Sequence, residues 1–461
     1  MSDTRKKPTA AVIVGLGVTG LSCARYLLGH GWRISVTDSR EDPPGRTELA
    51  RLAPDVTVRF GALDTSLLDD AVCVVASPGV PLSDPFFAAA QRRGITIAGD
   101  IELFALAADA PVVGVTGTNG KSTVTTLLGR MAARAGVRVR VGGNLGEPAL
   151  DLLQASQDAA QPAELYVLEL SSYQLEATSS LDLRAATVLN VTPDHMDRYA
   201  SMADYAAAKA RIFSRCDTAV INLDDPLVAA MPHKAARVVG FSLQDASGAD
   251  YTVAVREAGA GKNDDAGKQW LMCRGEPLIP VDSMRLTGLH NAANALAALA
   301  LGEAIGLPLK AMLDELTSFP GLAHRSQWVA DVAGVSYVDD SKGTNVGATL
   351  AAVAGMAGPL IVIAGGDGKS QDFTPLREAF RGKVRHVVLI GRDAPTLEQV
   401  LRDVCPTQRS ATLPEAVRAA AKMARPGDTV LLSPACASLD MFRNYAHRGE
   451  VFSGAVRELA A

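Results

Sequence analysis

Three times along this chain an apolar run of strand length ends in a glycine-rich polar turn and then opens into a helical pattern. The runs are "AAVIVGLGVTG" from residue 10, "PVVGVTGTNGKST" from residue 111 and "PLIVIAGGDGKS" from residue 359. More short apolar runs follow each one, including "LYVLEL", "ATVLNV", "TAVINL", "GVSYVDD" and "TVLLSP". Strands that alternate with helical patterns build mainly parallel sheets, and a parallel sheet carries ligands at the carboxyl ends of its strands. The polar turns lie at those ends. At 461 residues the chain exceeds one ordinary core. The reading is an α/β protein of three domains, each with a mainly parallel sheet flanked by helices. The first and last are Rossmann-like and the central one is P-loop-like. Seams near residues 99–111 and at Pro320–Gly321 divide it into 1–102, 103–321 and 322–461.

The central turn, Gly114 to Thr123, is a phosphate loop with unusual spacing. The common P-loop needs a glycine five residues before its Gly-Lys pair, and Val115 stands there. Gly117, Asn119 and Gly120 still permit a tight turn with N–H groups facing an anion. Lys121 supplies a cation, and Ser122 opens the helix where it could reach a magnesium ion. Glu169, at the end of "LYVLEL", and Asp194, His195 and Asp197, in "TPDHMDRY", are candidate further ligands. The structural alternative is a capped helix after a turn, with the lysine in solvent. In the first turn, Gly15, Gly17 and Gly20 form GxGxxG, and Asp38 follows Gly20 by 18 residues. That fingerprint suits a pyrophosphate and a ribose, so NAD and a UDP-sugar fit equally.

A net charge of −5 argues against a general nucleic-acid binder. Six cysteines without CxxC pairs or zinc spacing fit reduced thiols in a cytosol. Arg5, Lys6 and Lys7 before "AAVIVGLGV" imitate a signal peptide, but the run reads equally well as a buried strand. No apolar run reaches the roughly 20 residues of a membrane span. The protein is expected in the cytoplasm, as a monomer.

"TGTNGKST", "LELSSYQLE", "NVTPDHMDRY", "DDSKGTNVGAT", "GGDGKSQDF" and "LLSPACASLDMF" occur in this order. Together they resemble the Mur ligase family over nearly the whole chain, and within it the D-glutamate-adding members. "DNPR", found in diaminopimelate- or lysine-adding members, is absent. The resemblance implies that UDP-N-acetylmuramoyl-L-alanine is joined to D-glutamate, with ATP split to ADP and phosphate. ATP and one or two magnesium ions are then the implied cofactors, and the first glycine motif becomes a UDP site.

The same resemblance implies residue roles. Residues Gly117, Thr118, Asn119, Gly120, Lys121, Ser122 and Thr123 would cradle the ATP phosphates, with Lys121 on the terminal ones. Ser122 and Glu169 would hold one magnesium, and His195 a second. Asn144 would lie near the γ-phosphate and the substrate carboxylate. Asn294 would face adenine beside Asn291, and Arg325 and Asp340 would close the ATP site. Thr344, Lys369, Ser438 and Tyr445 would form the D-glutamate pocket. Thr19, Asp38, Ser39, Arg40 and Gly79 would take the uridine and diphosphate.

Lys209 falls on the apolar stripe of the helix predicted in "SMADYAAAKARIFSRC", where Ser201 and Asp204 suit a capping box. A lysine there snorkels to water, pairs with an acid or, as the resemblance implies, carries carbon dioxide as a carbamate that holds metal. Gln327 in "HRSQ" stands where an acidic residue is common, and Asp340 with Lys342 could be a surface ion pair. Residues 242–270 read as a peripheral strand with flexible flanks. An NAD-dependent oxidoreductase, another Mur-type or folylpolyglutamate-type ligase and a P-loop scaffold are the competing functions. ATP-driven phosphate release that depends on one amino acid separates them.

Overall fold

The computed structural model describes residues 9–244, 247–255, 267–286, 288–356 and 358–460. Three sheets follow one another along the chain. The first holds β1 (Ala10–Val14), β2 (Arg33–Asp38), β3 (Thr57–Phe60), β4 (Cys73–Ala76) and β5 (Thr96–Gly99). All pair in parallel, in the order β3-β2-β1-β4-β5. The order reverses between β1 and β4, and the GxGxxG turn sits at that switch point.

The second sheet holds nine strands: β6 (Val112–Thr116), β7 (Val139–Gly143), β8 (Leu165–Glu169), β9 (Leu183–Val188), β10 (Cys216–Asn222), β11 (Arg237–Phe241), β12 (Tyr251–Val255), β13 (Gln269–Cys273) and β14 (Glu276–Pro280). β6 lies between β8 and β9, and every residue of β6 and β8 is buried. Parallel strands covered on both faces read as continuous apolar runs, which is why these two were plain in the sequence. β12 joins β11 in parallel, and β13 and β14 then extend the sheet by antiparallel pairing. The segment 242–270 therefore contributes paired strands, while the flanks at 245–246 and 256–266 lie outside the described residues.

The third sheet holds β15 (Gln327–Val332), β16 (Val335–Asp339), β17 (Leu360–Gly365), β18 (Val384–Ile390), β19 (Thr407–Arg409) and β20 (Thr429–Leu432), in the order β15-β16-β20-β17-β18-β19. Only β15 is antiparallel to its neighbour. Its alternation is weak and half exposed, so its sequence gave little strand signal.

The cores are not evenly shared. One apolar cluster runs from Ile13 and Val36 in the first unit to Tyr166 and Phe213 in the second. The third unit has its own clusters on the two faces of its sheet. Polar ties reinforce the first join: Arg25 Nη2 meets Asp151 Oδ2 at 2.6 Å, and Gln174 donates to Asp100 at 2.8 Å.

Candidate functional site

β6 ends at Thr116, and the helix Lys121–Arg134 begins five residues later. Gly120 makes this turn possible, with φ at +85°. A Cβ there would lie 2.4 Å from Asn294 Oδ1, so only glycine lets the helix Leu289–Ala304 approach the loop. The segment after β9 holds the loop's other side: Thr118 N–H donates to the Asn190 carbonyl, and Asn119 N–H to Asn190 Oδ1. Lys121 folds back so that Nζ donates to the carbonyls of Gly117 (2.9 Å) and Thr118 (2.8 Å). Burial lowers its pKa, although Glu169 and Asp194 oppose this.

Glu169 ends β8 beneath the loop. Ser122 Oγ donates to Glu169 Oε2 at 2.5 Å, and Asn144 Nδ2 to Oε1 at 2.7 Å. Burial works against the carboxylate charge, but Lys121, Ser122, Asn144 and Arg325 outweigh it and hold the pKa below its usual value. Arg325 reaches over from the third unit, and its Nη2 donates to Ser122 Oγ at 2.7 Å.

The turn after β9 carries Asp194 and His195. His195 has φ +58°, a left-handed conformation that costs a non-glycine residue energy and clusters at functional loops. Burial pushes its imidazole down to about 4, so it is neutral at pH 7. Asp194 accepts from Lys369 Nζ at 3.0 Å and from Asn345 Nδ2 at 3.1 Å. Asp197, the third acid considered in this stretch, is exposed.

Lys209 lies on the helix Met202–Ala210, only 1% exposed. Its Nζ donates to the Gly117 carbonyl at 2.9 Å, the same oxygen that Lys121 uses, and lies 4.4 Å from the centre of the Tyr205 ring. It does not snorkel to water, and it ion-pairs with no acid among the described residues. Burial, reinforced by Lys121, pulls its pKa far below a normal lysine. Ser201 Oγ accepts from Asp204 N–H as expected of the cap, and donates to that residue's carboxylate.

A cavity of about 160 Å³ beside Gly120 and Thr123 is lined by Asn291, Asn294, Arg325 and Asp340. Asn294 Nδ2 donates to Asn291 Oδ1 at 3.2 Å, as two residues on one helix face should. Asp340 does not ion-pair with Lys342. Its oxygens accept from Ser326 N–H and Ser433 Oγ, and burial pushes its pKa up to about 7. Lys342 lies 3.9 Å from the centre of the Tyr445 ring, and burial lowers it to about 8. Gln327 Oε1 accepts from His324 N–H at 3.0 Å, so it closes the turn into β15.

A second cavity of about 430 Å³ joins this one at the loop. Lys121, Ser122, Asn144, Glu169, His195 and Lys209 line one side, and Thr344, Lys369, Ser438 and Tyr445 the other. Thr19, Asp38, Ser39, Arg40 and Gly79 do not line it and belong to the first sheet's carboxyl end. Asp38 there is buried and spent within the protein: it accepts from Leu16 N–H at 2.7 Å and from Arg40 Nη2 at 2.6 Å. Sequence reasoning missed Lys342 and Asn345 as cleft residues, although both stand in the motif "DDSKGTN". It also missed Arg448, fully buried, which donates to Ser341 Oγ and to the carbonyls of Ser341 and Cys436. Arg448 pins together the two loops that carry Thr344 and Ser438.

Residues 9–99 match the model of the Mur ligase MurD-like N-terminal domain. Residues 115–302 match the Mur ligase middle domain, and 324–436 the Mur ligase glutamate ligase domain. The UDP-N-acetylmuramoylalanine--D-glutamate ligase of Methylococcus capsulatus is 50% identical over 449 residues, covering 97% of this chain and 95% of that protein. The ligase of the same name from Pseudomonas aeruginosa is 50% identical over 453 residues, covering 97% and 98%. Among solved structures, UDP-N-acetylmuramate-alanine ligase MurC from Thermotoga maritima superposes with a TM-score of 0.61 at 17% identity, covering 97% of this chain and 99% of that one. MurF ligase from Thermotoga maritima in complex with ADP gives 0.59 at 16%, covering 98% and 96%. The matched domains run from the first sheet to the last, the cleft lies where the second and third meet, and the chain belongs to the Mur ligase family.

Proposed function

We propose that this protein is an ATP-dependent ligase that joins UDP-N-acetylmuramoyl-L-alanine to D-glutamate, a step in building peptidoglycan precursors. The observation that carries the reading is the single cleft. The phosphate loop and its acid line one wall, and cationic and hydroxyl groups suited to a dicarboxylic amino acid line the other. The 50% identity to ligases with this name supports it. The work divides naturally among domains at 1–102 for the UDP acceptor, 103–321 for ATP and 322–461 for the amino acid.

The chemistry explains the parts. A carboxylate is a poor electrophile, so the L-alanine carboxylate takes the γ-phosphate of ATP and becomes an acyl phosphate. The D-glutamate amine attacks that carbonyl, phosphate leaves, and the amine gives up a proton. Phosphoryl transfer needs positioning and charge neutralisation more than covalent help from the protein. Lys121, Arg325 and the N–H groups of the loop supply both. Asn291, Asn294 and Asp340 suit the nucleoside, and Asn144 suits the reacting carboxylate.

Magnesium fits the residues present. Glu169 is ionised at the foot of the loop with Ser122 Oγ beside it, and hard oxygen donors at a phosphate site suit this ion. Bound there, magnesium would neutralise charge on the transferring phosphoryl group. No three His, Cys, Asp or Glu side chains among the described residues converge as a metal site. A second ion beside neutral His195 therefore needs a donor of another kind, and an anionic carbamate on Lys209 would provide one.

The test is phosphate release with ATP, magnesium, the UDP-muramoyl-alanine acceptor and a panel of D- and L-amino acids. All four components, with D-glutamate as the amino acid, are expected to be required. Equal activity with L-glutamate, or with L-alanine and an acceptor lacking alanine, would overturn the reading. An NAD-linked oxidoreductase leaves the Lys121 loop without work to do.

A further inference from the structure

Arg198 joins two loops that serve, on the reading above, opposite ends of one substrate. Its backbone belongs to the turn of His195, whose carbonyl accepts from the N–H groups of Arg198 (2.9 Å) and Tyr199 (3.1 Å). Its side chain crosses to the first unit. There Nη1 donates to the Pro78 carbonyl at 2.9 Å, and Nη2 points to the Val80 carbonyl at 3.4 Å. These carbonyls flank Gly79 in the turn after β4. That turn is tied in its own right to the first glycine loop, where Ser77 Oγ donates to the Gly15 carbonyl at 2.8 Å.

Both Nη groups and one face of the guanidinium are engaged. Glu176 Oε2 lies 3.2 Å from Nη2, and the other oxygen of Glu176 accepts from Tyr199 Oη at 2.6 Å. The Tyr173 ring lies beneath the guanidinium, 4.0 Å from its carbon to the ring centre. The same ring meets the His195 imidazole edge-on at 5.0 Å. Only 12% of the Arg198 side chain is exposed. A planar fork with both Nη groups bonded and one face covered is held in one orientation, which a flexible ammonium would not be.

We propose that Arg198 is a positioning residue that sets the distance between the diphosphate cradle at Gly15–Gly20 and Gly79 and the reacting end at His195. The acceptor spans that distance, with a uridine diphosphate at one end and a carboxylate at the other. Arg198 touches neither end and acts through the two loops. The gain from linking two binding ends depends on the sites standing at the span of the molecule. A carboxylate displaced by about 1 Å from its attack position can cost about 100-fold in rate.

The inference rests on the acceptor assignment, so the experiment separates the two. Inhibition constants are measured for UDP alone and for N-acetylmuramoyl-L-alanine alone, alongside KM and kcat for the complete acceptor, in wild type, Arg198→Ala and Arg198→Lys. In Arg198→Ala, kcat/KM for the complete acceptor is expected to fall about 30-fold. The two fragment constants, and KM for ATP and D-glutamate, should change by no more than about threefold. Arg198→Lys should fall between, and it carries the comparison if the alanine variant does not fold. A fragment constant that weakens as much as the complete acceptor would make the effect local and overturn the proposal. So would unchanged kinetics for the complete acceptor. A wild type that binds neither UDP nor the acceptor would remove the acceptor assignment itself, and this inference with it.

Discussion

Lys369 Nζ stands 3.0 Å from Asp194 Oδ1, an ion pair that ties the glycine turn after β17 to the turn after β9. Asn345 holds the other Asp194 oxygen, and Lys369 itself has φ +50°. The lysine proposed to bind a glutamate carboxylate is thus already paired with a carboxylate of the protein. Substrate must share it or displace Asp194.

Lys369→Ala is therefore expected to damage chiefly the use of D-glutamate. Losing a charge-assisted contact costs about 1.5–3 kcal/mol, or about one to two decades in kcat/KM. The variant also strands Asp194 in a buried site, which adds a stability loss unrelated to substrate. Asp194→Asn in the same chain should recover that stability without recovering D-glutamate use. Unchanged D-glutamate kinetics in Lys369→Ala would return the residue to a purely structural role in its turn.

The joins between units predict which one moves. The first and second share an apolar cluster. Prominent links from the third to the second are polar: Arg325 to Ser122, Asn345 to Asn119 and Lys369 to Asp194. Polar interfaces of this kind allow domain motion, and a site divided across one can be assembled by closure. Solution scattering should show a more compact particle with ATP and acceptor than without. Removing Arg325 and Lys369 together should abolish that difference. Identical curves in all wild-type states would count against closure.

Asp340 makes stability depend on pH in a definite direction. Burial raises its pKa from 3.8 to about 7, so the folded protein keeps a proton that the unfolded chain releases. The stabilisation is complete below the unfolded value and is lost as pH rises through about 7. The slope from one such group is at most about 1.4 kcal/mol per pH unit. Asp340→Asn lacks this loss. Its melting temperature should gain on wild type by several degrees between pH 5 and 7.5 and then stay level. Parallel melting profiles would show that the carboxyl titrates normally.

What the sequence made legible follows from how parallel sheets are built. β6, β8 and β17 are buried on both faces, so they read as apolar runs up to their carboxyl ends, where Thr116, Glu169 and the turns that follow hold the polar chemistry. Hence Lys121, Glu169 and Lys369 could be picked out in the linear text. β15 and the strands near residue 270 are edge or antiparallel elements with exposed faces, and they left a weaker trace. Partnerships were less legible still. Nothing local says that Lys369 finds Asp194, 175 residues away, or that Arg448 finds Ser341. Lys342 stood in a quoted motif yet read as a surface residue, because burial by Tyr445 comes from chain more than a hundred residues downstream.

Lys209 is expected to carry a carbamate. A lysine with 1% exposure and no acid partner among the described residues is costly to bury charged, and a carbonyl bond and the Tyr205 ring are its recorded compensation. Its hydrogen bond goes to the Gly117 carbonyl, which Lys121 already uses. Burial and the neighbouring ammonium both favour the neutral amine, and that is the form which attacks carbon dioxide. The amine forms an N–C bond, loses one proton, and becomes an anion beside the Lys121 ammonium and neutral His195. Labelled bicarbonate should give a carbamate carbon signal in NMR of the wild type, absent in Lys209→Ala and Lys209→Met. Both variants should lose activity, and Lys209→Met should melt no lower than wild type. Raising bicarbonate should raise activity in a preparation depleted of carbon dioxide. Acid favours loss of carbon dioxide from the carbamate, so signal and activity should fall together as pH drops. Full activity without any carbamate signal, in the presence of magnesium, would refute it.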